Sequence, residues 1–159
     1  MSVAFTKEGD LESTAADLPD RPISPHANLV TPDGLALIEA ALAEARTAYS
    51  AARQAGDVQG DRTAMARATR DLRYWSARRA SAQVIEPPAD QDVVHFGSTV
   101  TLDRDDGRRQ VFRIVGEDEA DPAKGAVSYV SPLARALMGK AVGDEAMVGG
   151  GEVEIVAIA

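Results

Sequence analysis

Cysteine is absent from this chain of 159 residues, histidine occurs only twice, and aromatic residues make up 4% of the sequence. Without cysteine there is neither a disulfide framework nor a thiolate metal site. His26 and His95 lack the spacing of metal ligands, so we expect neither a histidine metal centre nor a Ser/His/Asp triad. No apolar run approaches the roughly 20 residues that span a bilayer, and the N-terminus lacks the apolar segment of a secretory signal. These absences predict a cytoplasmic protein with no membrane partner.

The net charge of −8 is unevenly distributed along the chain. Residues 31–83 carry eight arginines and six acidic residues, whereas residues 84–159 carry seven basic and fourteen acidic residues. Because phosphate neutralisation drives binding to naked nucleic acid, the overall acidity argues against autonomous binding of that kind. A locally basic segment instead favours contact with a nucleoprotein assembly, although arginines on a solvated helix face are also common.

Apolar residues recur with alternating steps of three and four on both sides of a short tip at residues 56–61, which is the a/d pattern of a coiled coil. When the two series are paired from their outer ends inward, the position numbers add to a constant total, as an antiparallel hairpin requires. The first series contains Leu35, Ile38, Leu42, Ala45, Tyr49 and Ala52, and the second contains Met65, Ala68, Leu72, Trp75, Arg79 and Ala82. The sequence therefore predicts two antiparallel helices.

Turn-forming and helix-capping residues predict where the segments begin and end. Residues 1–30 are polar, contain three prolines and show no apolar period, which predicts a flexible acidic tail. Thr31 as N-cap and Pro32 at the first helical position predict the start of the hairpin, which we expect over residues 31–84. Residues 85–90 contain Pro87-Pro88 and predict a short, stiff linker.

Residues 91–159 change to strand-like alternation. Residues 98–102 and 110–115 predict a β-hairpin around the turn at Gly107, and further strands are expected at 126–130 and 152–158. Ser131 as N-cap and Pro132 predict a short helix to about residue 138. The predicted fold class is therefore α+β, with a helical hairpin followed by a mainly antiparallel β domain that contains one short helix.

Several short motifs in this C-terminal part resemble, in order and near spacing, those of the Gre family (GreA/GreB) of bacterial transcript-cleavage factors. The matching segments are residues 93–100, 112–121, 131–140, 143–144 and 150–154, with residues 4–7 and 28–32 also similar near the N-terminus. The resemblance implies an N-terminal antiparallel coiled coil and a C-terminal FKBP-like domain at residues 91–159.

The same resemblance implies a role in transcription. Gre factors dock at the mouth of the RNA polymerase secondary channel and insert the coiled coil, whose acidic tip helps to hold the second Mg²⁺ of the polymerase active site. The chain is therefore expected to bind RNA polymerase and nascent RNA and to stimulate RNA cleavage. It would not itself be an enzyme and would carry no metal or cofactor of its own. Asp57 and Asp61 are the tip carboxylates expected to act in this two-metal chemistry.

The resemblance also implies two sets of contact residues. Arg62, Arg67, Arg70 and Arg73 correspond to the basic patch that faces RNA in the channel, although a solvated helix face explains them equally well. Ser131, Pro132, Leu133 and Arg135 are expected to dock on the polymerase, and capping with core packing is the alternative explanation. The acidic loop at residues 117–121 is either a solvated surface or a polymerase contact.

The tip and the arms depart from the family pattern. Gly60 occupies the position of the family glutamate, Asp61 that of an asparagine and Ala64 that of a tyrosine. Each arm is also shorter by about seven residues, or roughly 10 Å of reach. Two functions thus stay open: a cleavage factor, or a non-cleaving channel binder that competes with other Gre-like factors. A peptidyl-prolyl isomerase is a third class, but an FKBP-like fold alone does not carry that activity.

Overall fold

The computed structural model describes residues 18–55 and 61–159, with the side chain of residue 61 not included. The described elements, in chain order, are β1 (Leu29–Val30), α1 (Pro32–Ala55), α2 (Asp61–Ser81), β2 (Gln83–Val84), β3 (Thr99–Arg104), β4 (Arg109–Val115), a 3₁₀ turn (Pro122–Lys124), β5 (Ala126–Ser128), α3 (Pro132–Leu137), β6 (Glu145–Val148) and β7 (Gly151–Ile158). The predicted α+β class is confirmed. None of the described helices is long and apolar enough to cross a membrane.

These elements form two compact units. The hairpin unit contains residues 18–25 and Ile38–Ser81, and the β unit contains His26–Leu37 and Ala82–Ala159. The predicted boundaries assign residues 26–30 to a flexible tail and residues 31–37 to the hairpin, whereas the structure includes both segments in the β unit. The physical reason is that residues 29–30 form strand β1, which pairs with β2. Residues 1–17 of the predicted tail lie outside the described residues.

Helices α1 and α2 follow the predicted apolar pattern over most of their length. Ile38, Leu42 and Ala45 are buried on α1, and Ala68 is buried on α2. The alanine- and leucine-rich composition of α1 and the alanine- and arginine-rich composition of α2 favour helix. The predicted helices are therefore confirmed.

The contacts near the end of α2 differ from the predicted seam. Arg79, which occupies a seam position in the sequence pattern, keeps 46% of its side chain exposed and donates from Nε to Glu39 Oε1 at 3.0 Å. This contact joins the beginning of α1 to the end of α2, as an antiparallel register requires. Arg78 is buried instead, with 2% exposure, and its side chain is engaged. A guanidinium is costly to bury unless it is paired, and Arg79 avoids that cost by keeping its ion pair with Glu39 at the surface.

A five-stranded sheet with the order β5-β4-β3-β7-β6 forms the centre of the β unit. All neighbouring strands are antiparallel except β4 and β5, which are parallel. The predicted β3–β4 hairpin is confirmed, with Val100 aligned with Phe112. Its turn includes Gly107 at φ 86°, a left-handed conformation that glycine adopts without strain. Strand β6 was not predicted, because its four residues show too little alternation.

The core of the β unit lies between one face of this sheet and helix α3. Its buried residues include Val100, Leu102, Ile114, Leu137 and Ile155. Val100 and Leu102 alternate with less buried neighbours on β3, as the period of two in a strand requires. Helix α3 begins as predicted, because Ser131 Oγ accepts a hydrogen bond from the Ala134 backbone N–H at 3.3 Å.

Residues 26–37 are attached to the β unit by backbone pairing and by a capped helix start. Leu29 aligns with Gln83 in the parallel β1–β2 pair. The Thr31 hydroxyl accepts from the Gly34 backbone N–H at 3.0 Å and donates to the Glu119 carboxylate. Thr31 is therefore the N-cap that the sequence predicts. The Glu119 carboxylate supports the cap and lies at the positive end of the α1 dipole.

Candidate functional site

The tip carboxylates predicted from the sequence are not tested by the structure. Asp57 lies outside the described residues, and Asp61 is described only as the first residue of α2. Their proposed role therefore stays a prediction. In the part of the chain that the structure describes, no three His, Cys, Asp or Glu side chains are grouped so that they could hold a metal ion.

The four predicted contact arginines of α2 differ in their partners. Arg62 and Arg67 are exposed, and neither pairs with a carboxylate among the described residues. Arg70 Nε lies 3.2 Å from Asp71 Oδ1, and Arg73 Nη1 lies 3.1 Å from Asp20 Oδ1. The arginines nearest to the tip thus present free guanidinium groups within this part of the chain. The two that are farther from it are already paired.

Arg21 holds the segment that precedes β1 against α2, a contact that the sequence did not predict. Its Cζ lies 3.8 Å from the centroid of the Tyr74 ring and 5.4 Å from that of Trp75. Its Nη1 lies 3.5 Å from Asp71 Oδ1. A guanidinium over two aromatic faces and beside a carboxylate combines cation–π attraction with an ion pair. The sequence offers only a weak signal for this contact, an arginine between prolines.

The predicted docking residues around the start of α3 have mixed roles. Ser131 caps the helix and Leu133 packs against the core, so both have a structural role, and their docking on the polymerase stays a prediction. Pro132 and Arg135 are exposed and free to contact another molecule. The structure therefore assigns surface positions to two of the four residues.

A second surface feature of the β unit, around Met147, was not predicted from the sequence. Met147 on β6 is 65% exposed. It borders a shallow cavity of about 350 Å³ that is also lined by Ala136, Lys140, Glu145 and Glu152. A single exposed apolar side chain is common on protein surfaces, and Met147 is notable here because it borders a concavity. No sequence pattern in this four-residue strand signals it.

The carboxylates beside this cavity repel one another. The pKa of Glu152 is raised by its hydrogen bond to the Glu145 side chain, and further by the charge of Glu145, by a small loss of hydration and by the charge of Asp105. A raised pKa means that the folded state disfavours the charged carboxylate. Ionisation of Glu152 therefore opposes folding.

We expect Glu152→Gln to stabilise the protein at neutral pH. The destabilising effect of the charge is absent below the ordinary glutamate pKa of 4.5, and it grows as the pH rises through the raised pKa of Glu152. The melting temperature of the variant should therefore exceed that of the wild type at pH 7, and the two should converge in acid. Thermal unfolding across this pH range measures the difference.

Glu86→Gln is the matched control, because Glu86 is exposed and its replacement removes the same charge. An equal gain in melting temperature from both variants would assign the effect to net charge. It would then contradict the local explanation.

The charged loop at residues 117–121 is more than solvated surface. The Glu119 carboxylate receives the hydrogen bond from Thr31, and both Glu117 and Asp118 also have interaction partners.

Two aromatic rings of the β unit pack against each other inside that unit. Phe96 packs edge-to-face with Tyr129 at 5.6 Å between centroids, and the Tyr129 hydroxyl donates to the Ala27 carbonyl.

Comparisons with known proteins assign the chain to a family. The family described as "Transcription elongation factor, GreA/GreB, C-term" matches residues 89–159. Transcription elongation factor GreA of Desulfovibrio desulfuricans is 36% identical over 137 residues, which cover 80% of this chain and 83% of that protein. Transcription elongation factor GreB of Neisseria meningitidis serogroup B is 39% identical over 109 residues, which cover 65% of this chain and 67% of that protein.

The crystal structure of GreA factor homolog 1 (Gfh1) of Thermus thermophilus is a more distant likeness. It is 21% identical with a TM-score of 0.41, and the match covers 84% of this chain and 99% of that one. The assignment depends instead on the sequence relatives, of which GreA of Desulfovibrio desulfuricans matches 80% of this chain. This chain belongs to the GreA/GreB family of transcription elongation factors.

Proposed function

We propose that this protein binds RNA polymerase at the secondary channel and stimulates the polymerase to cleave backtracked RNA. The observation that carries the proposal is the similarity to a curated GreA elongation factor over 80% of the chain. That similarity includes a pair of helices on either side of the tip that contains Asp57. The helices are the part suited to enter a channel, and the β unit is the part suited to dock outside it.

The chemistry proposed for the tip is electrostatic. In two-metal RNA cleavage, one ion activates the attacking water and both ions stabilise the developing negative charge. The ions belong to the polymerase, and the carboxylate of Asp57 supplies oxygen ligands of the kind that Mg²⁺ prefers. In this proposal the factor completes the active site of the polymerase and is not itself an enzyme.

The β unit supports docking rather than catalysis of its own. Pro132 and Arg135 are exposed at the start of α3, and Met147 is exposed on β6. These side chains offer apolar and cationic contacts to a protein partner. The edge-to-face packing of Phe96 with Tyr129 leaves those two rings poorly suited to line a prolyl peptide pocket.

A non-cleaving channel binder is the second candidate function. The short helices favour it. Helix α1 has 24 residues and α2 has 21. At 1.5 Å per residue, each extends for only about 30–36 Å. Gly60 also removes the carboxylate that the family places near the tip. A factor with these features could occupy the channel and exclude longer Gre factors without reaching the Mg²⁺ ions.

The deciding experiment uses a bacterial RNA polymerase stalled in a backtracked complex with Mg²⁺. We expect the wild-type protein to shorten the RNA, and Asp57→Ala to slow shortening about tenfold, or about 1.4 kcal/mol of transition-state stabilisation. Glu44→Ala removes an exposed carboxylate from α1 and serves as the control. RNA length on a denaturing gel is the readout.

The same complex separates the two candidate functions. If the wild-type protein leaves the RNA intact but blocks cleavage by a longer Gre factor, the competitor function replaces the cleavage function. If it neither cleaves nor competes, channel binding itself is wrong.

A further inference from the structure

Residues 18–25, here called the strap, lie against α2 and pair with residues of its arginine-rich side. We propose that the strap is a displaceable autoinhibitory segment that competes with RNA phosphates for Arg73 and the neighbouring arginines of α2. The inference rests on the proposed contact between these arginines and RNA, and it adds a means of regulating that contact.

The anchor of the strap is Arg21. Its guanidinium stacks over Tyr74, reaches the face of Trp75 and pairs with Asp71. Prolines 19, 22 and 25 restrict the strap backbone, so less conformational entropy is lost when it settles on the helix. The strap is therefore specifically positioned, and its neighbour Asp20 is delivered to a defined place on α2.

That place is one of the predicted RNA contacts. Asp20 Oδ1 lies 3.1 Å from Arg73 Nη1, where its carboxylate occupies a position suited to a phosphate oxygen. Arg21 and Arg70 share Asp71, so the strap also completes a local network of alternating charges. Arg62 and Arg67, nearer to the tip, have no such partner among the described residues.

The contacts between the strap and α2 are weak enough for the strap to dissociate and rebind. Arg73 and Asp20 keep 67% and 61% of their side chains exposed, so their ion pair is weak and is screened by salt. An RNA strand presents several phosphates at once to Arg62, Arg67 and Arg73. It can therefore displace a single carboxylate through the summed interactions. A strap held mainly by Arg21 would then lift without unfolding the helices.

The test combines RNA binding with the fluorescence of Trp75, the single tryptophan of the chain. Binding of a fluorescein-labelled single-stranded RNA oligonucleotide to the full-length protein is measured by anisotropy at low ionic strength, because the local arginine charge on α2 is least screened there and can hold phosphates although the chain as a whole is acidic. We expect Asp20→Asn to strengthen binding about two- to fivefold, the range for loss of an exposed ion pair. Glu44→Gln, which makes the same change in net charge away from the strap, should have a smaller effect.

Fluorescence reports the position of the strap directly. Inorganic polyphosphate, which carries phosphates but no bases, should shift Trp75 emission of the wild type towards that of Arg21→Ala. An acidic peptide of equal charge should not reproduce the shift if phosphate is the ligand. An equal response to the peptide would contradict the inference, because it would mean that the arginines of α2 bind an acidic protein surface and not RNA phosphates.

Equal RNA affinity for wild type, Asp20→Asn and Glu44→Gln, with unchanged Trp75 emission, would overturn the inference. So would the absence of RNA binding by every variant. Neither result bears on RNA cleavage, because that function is measured on the polymerase complex and depends on the tip.

Discussion

Alanine at position 116 is expected to destabilise the β unit by about 3 kcal/mol, at the upper end of the usual cost of overpacking. A β carbon on Gly116 would lie 2.3 Å from the carbonyl oxygen of Leu29, and 3.6 Å from the Cα of Val30. The obstacle is backbone rather than a flexible side chain. Relief of the clash would therefore require β1 to move away from its position beside β2.

Urea unfolding measured by circular dichroism gives the free energy change for this variant. Gly151→Ala is the matched control, because a β carbon there meets no atom closer than 3.8 Å and the residue does not have a left-handed φ. We expect the control to lie within about 1 kcal/mol of the wild type. Equal stability of both variants would show that β1 adapts freely, and the close approach would then carry no structural constraint.

Replacement of Leu102 by alanine is expected to lower the free energy of unfolding by about 3–4 kcal/mol, within the range for fully buried leucines. Leu102 is 0% exposed and lies on β3, the central strand of the sheet. Its backbone is paired with Gln110 on one side and Ile155 on the other. Because both neighbouring strands fix the backbone, the surrounding chain has little freedom to collapse into the cavity.

Val111→Ala tests the same sheet at an exposed position. Val111 lies on β4 and is 54% exposed, so its loss should cost less than about 1 kcal/mol. Denaturant midpoints of the two variants, measured with a common slope, provide the comparison. A cost for Leu102→Ala as small as that for Val111→Ala would mean that the core around β3 repacks.

The parts of the fold that the sequence predicts are those specified by local chemistry. Heptad spacing identifies α1 and α2, and Ser131-Pro132 identifies the start of α3. The β1–β2 pair could not be found in this way, because two residues per strand carry no period. Arg78 and Arg79 illustrate a second limit. The spacing alone selects Arg79 for a buried seam position, whereas in the structure Arg78 is buried and Arg79 stays half-exposed beside Glu39.

The candidate site is predictable only in its residue types. The family resemblance selects Arg70 and Arg73, but nothing in the linear sequence shows that Asp71 and Asp20 pair with them. These pairings join segments distant in sequence or depend on rotamers. Glu119 is similar, since an acidic loop normally indicates solvated surface, yet this carboxylate completes a helix cap.

The parallel pairing of β1 with β2 has a consequence for how such proteins diverge. Leu29–Val30 precedes the two helices and Gln83–Val84 follows them, so the two ends of the helical segment are held on adjacent strands. Neighbouring strands are about 4.8 Å apart whatever the length of the chain between them. The two ends of the helical segment therefore stay side by side whatever its length. Both helices can therefore lengthen or shorten together during evolution without any change in the β1–β2 pair, so the length of the helices can vary while the β unit stays the same.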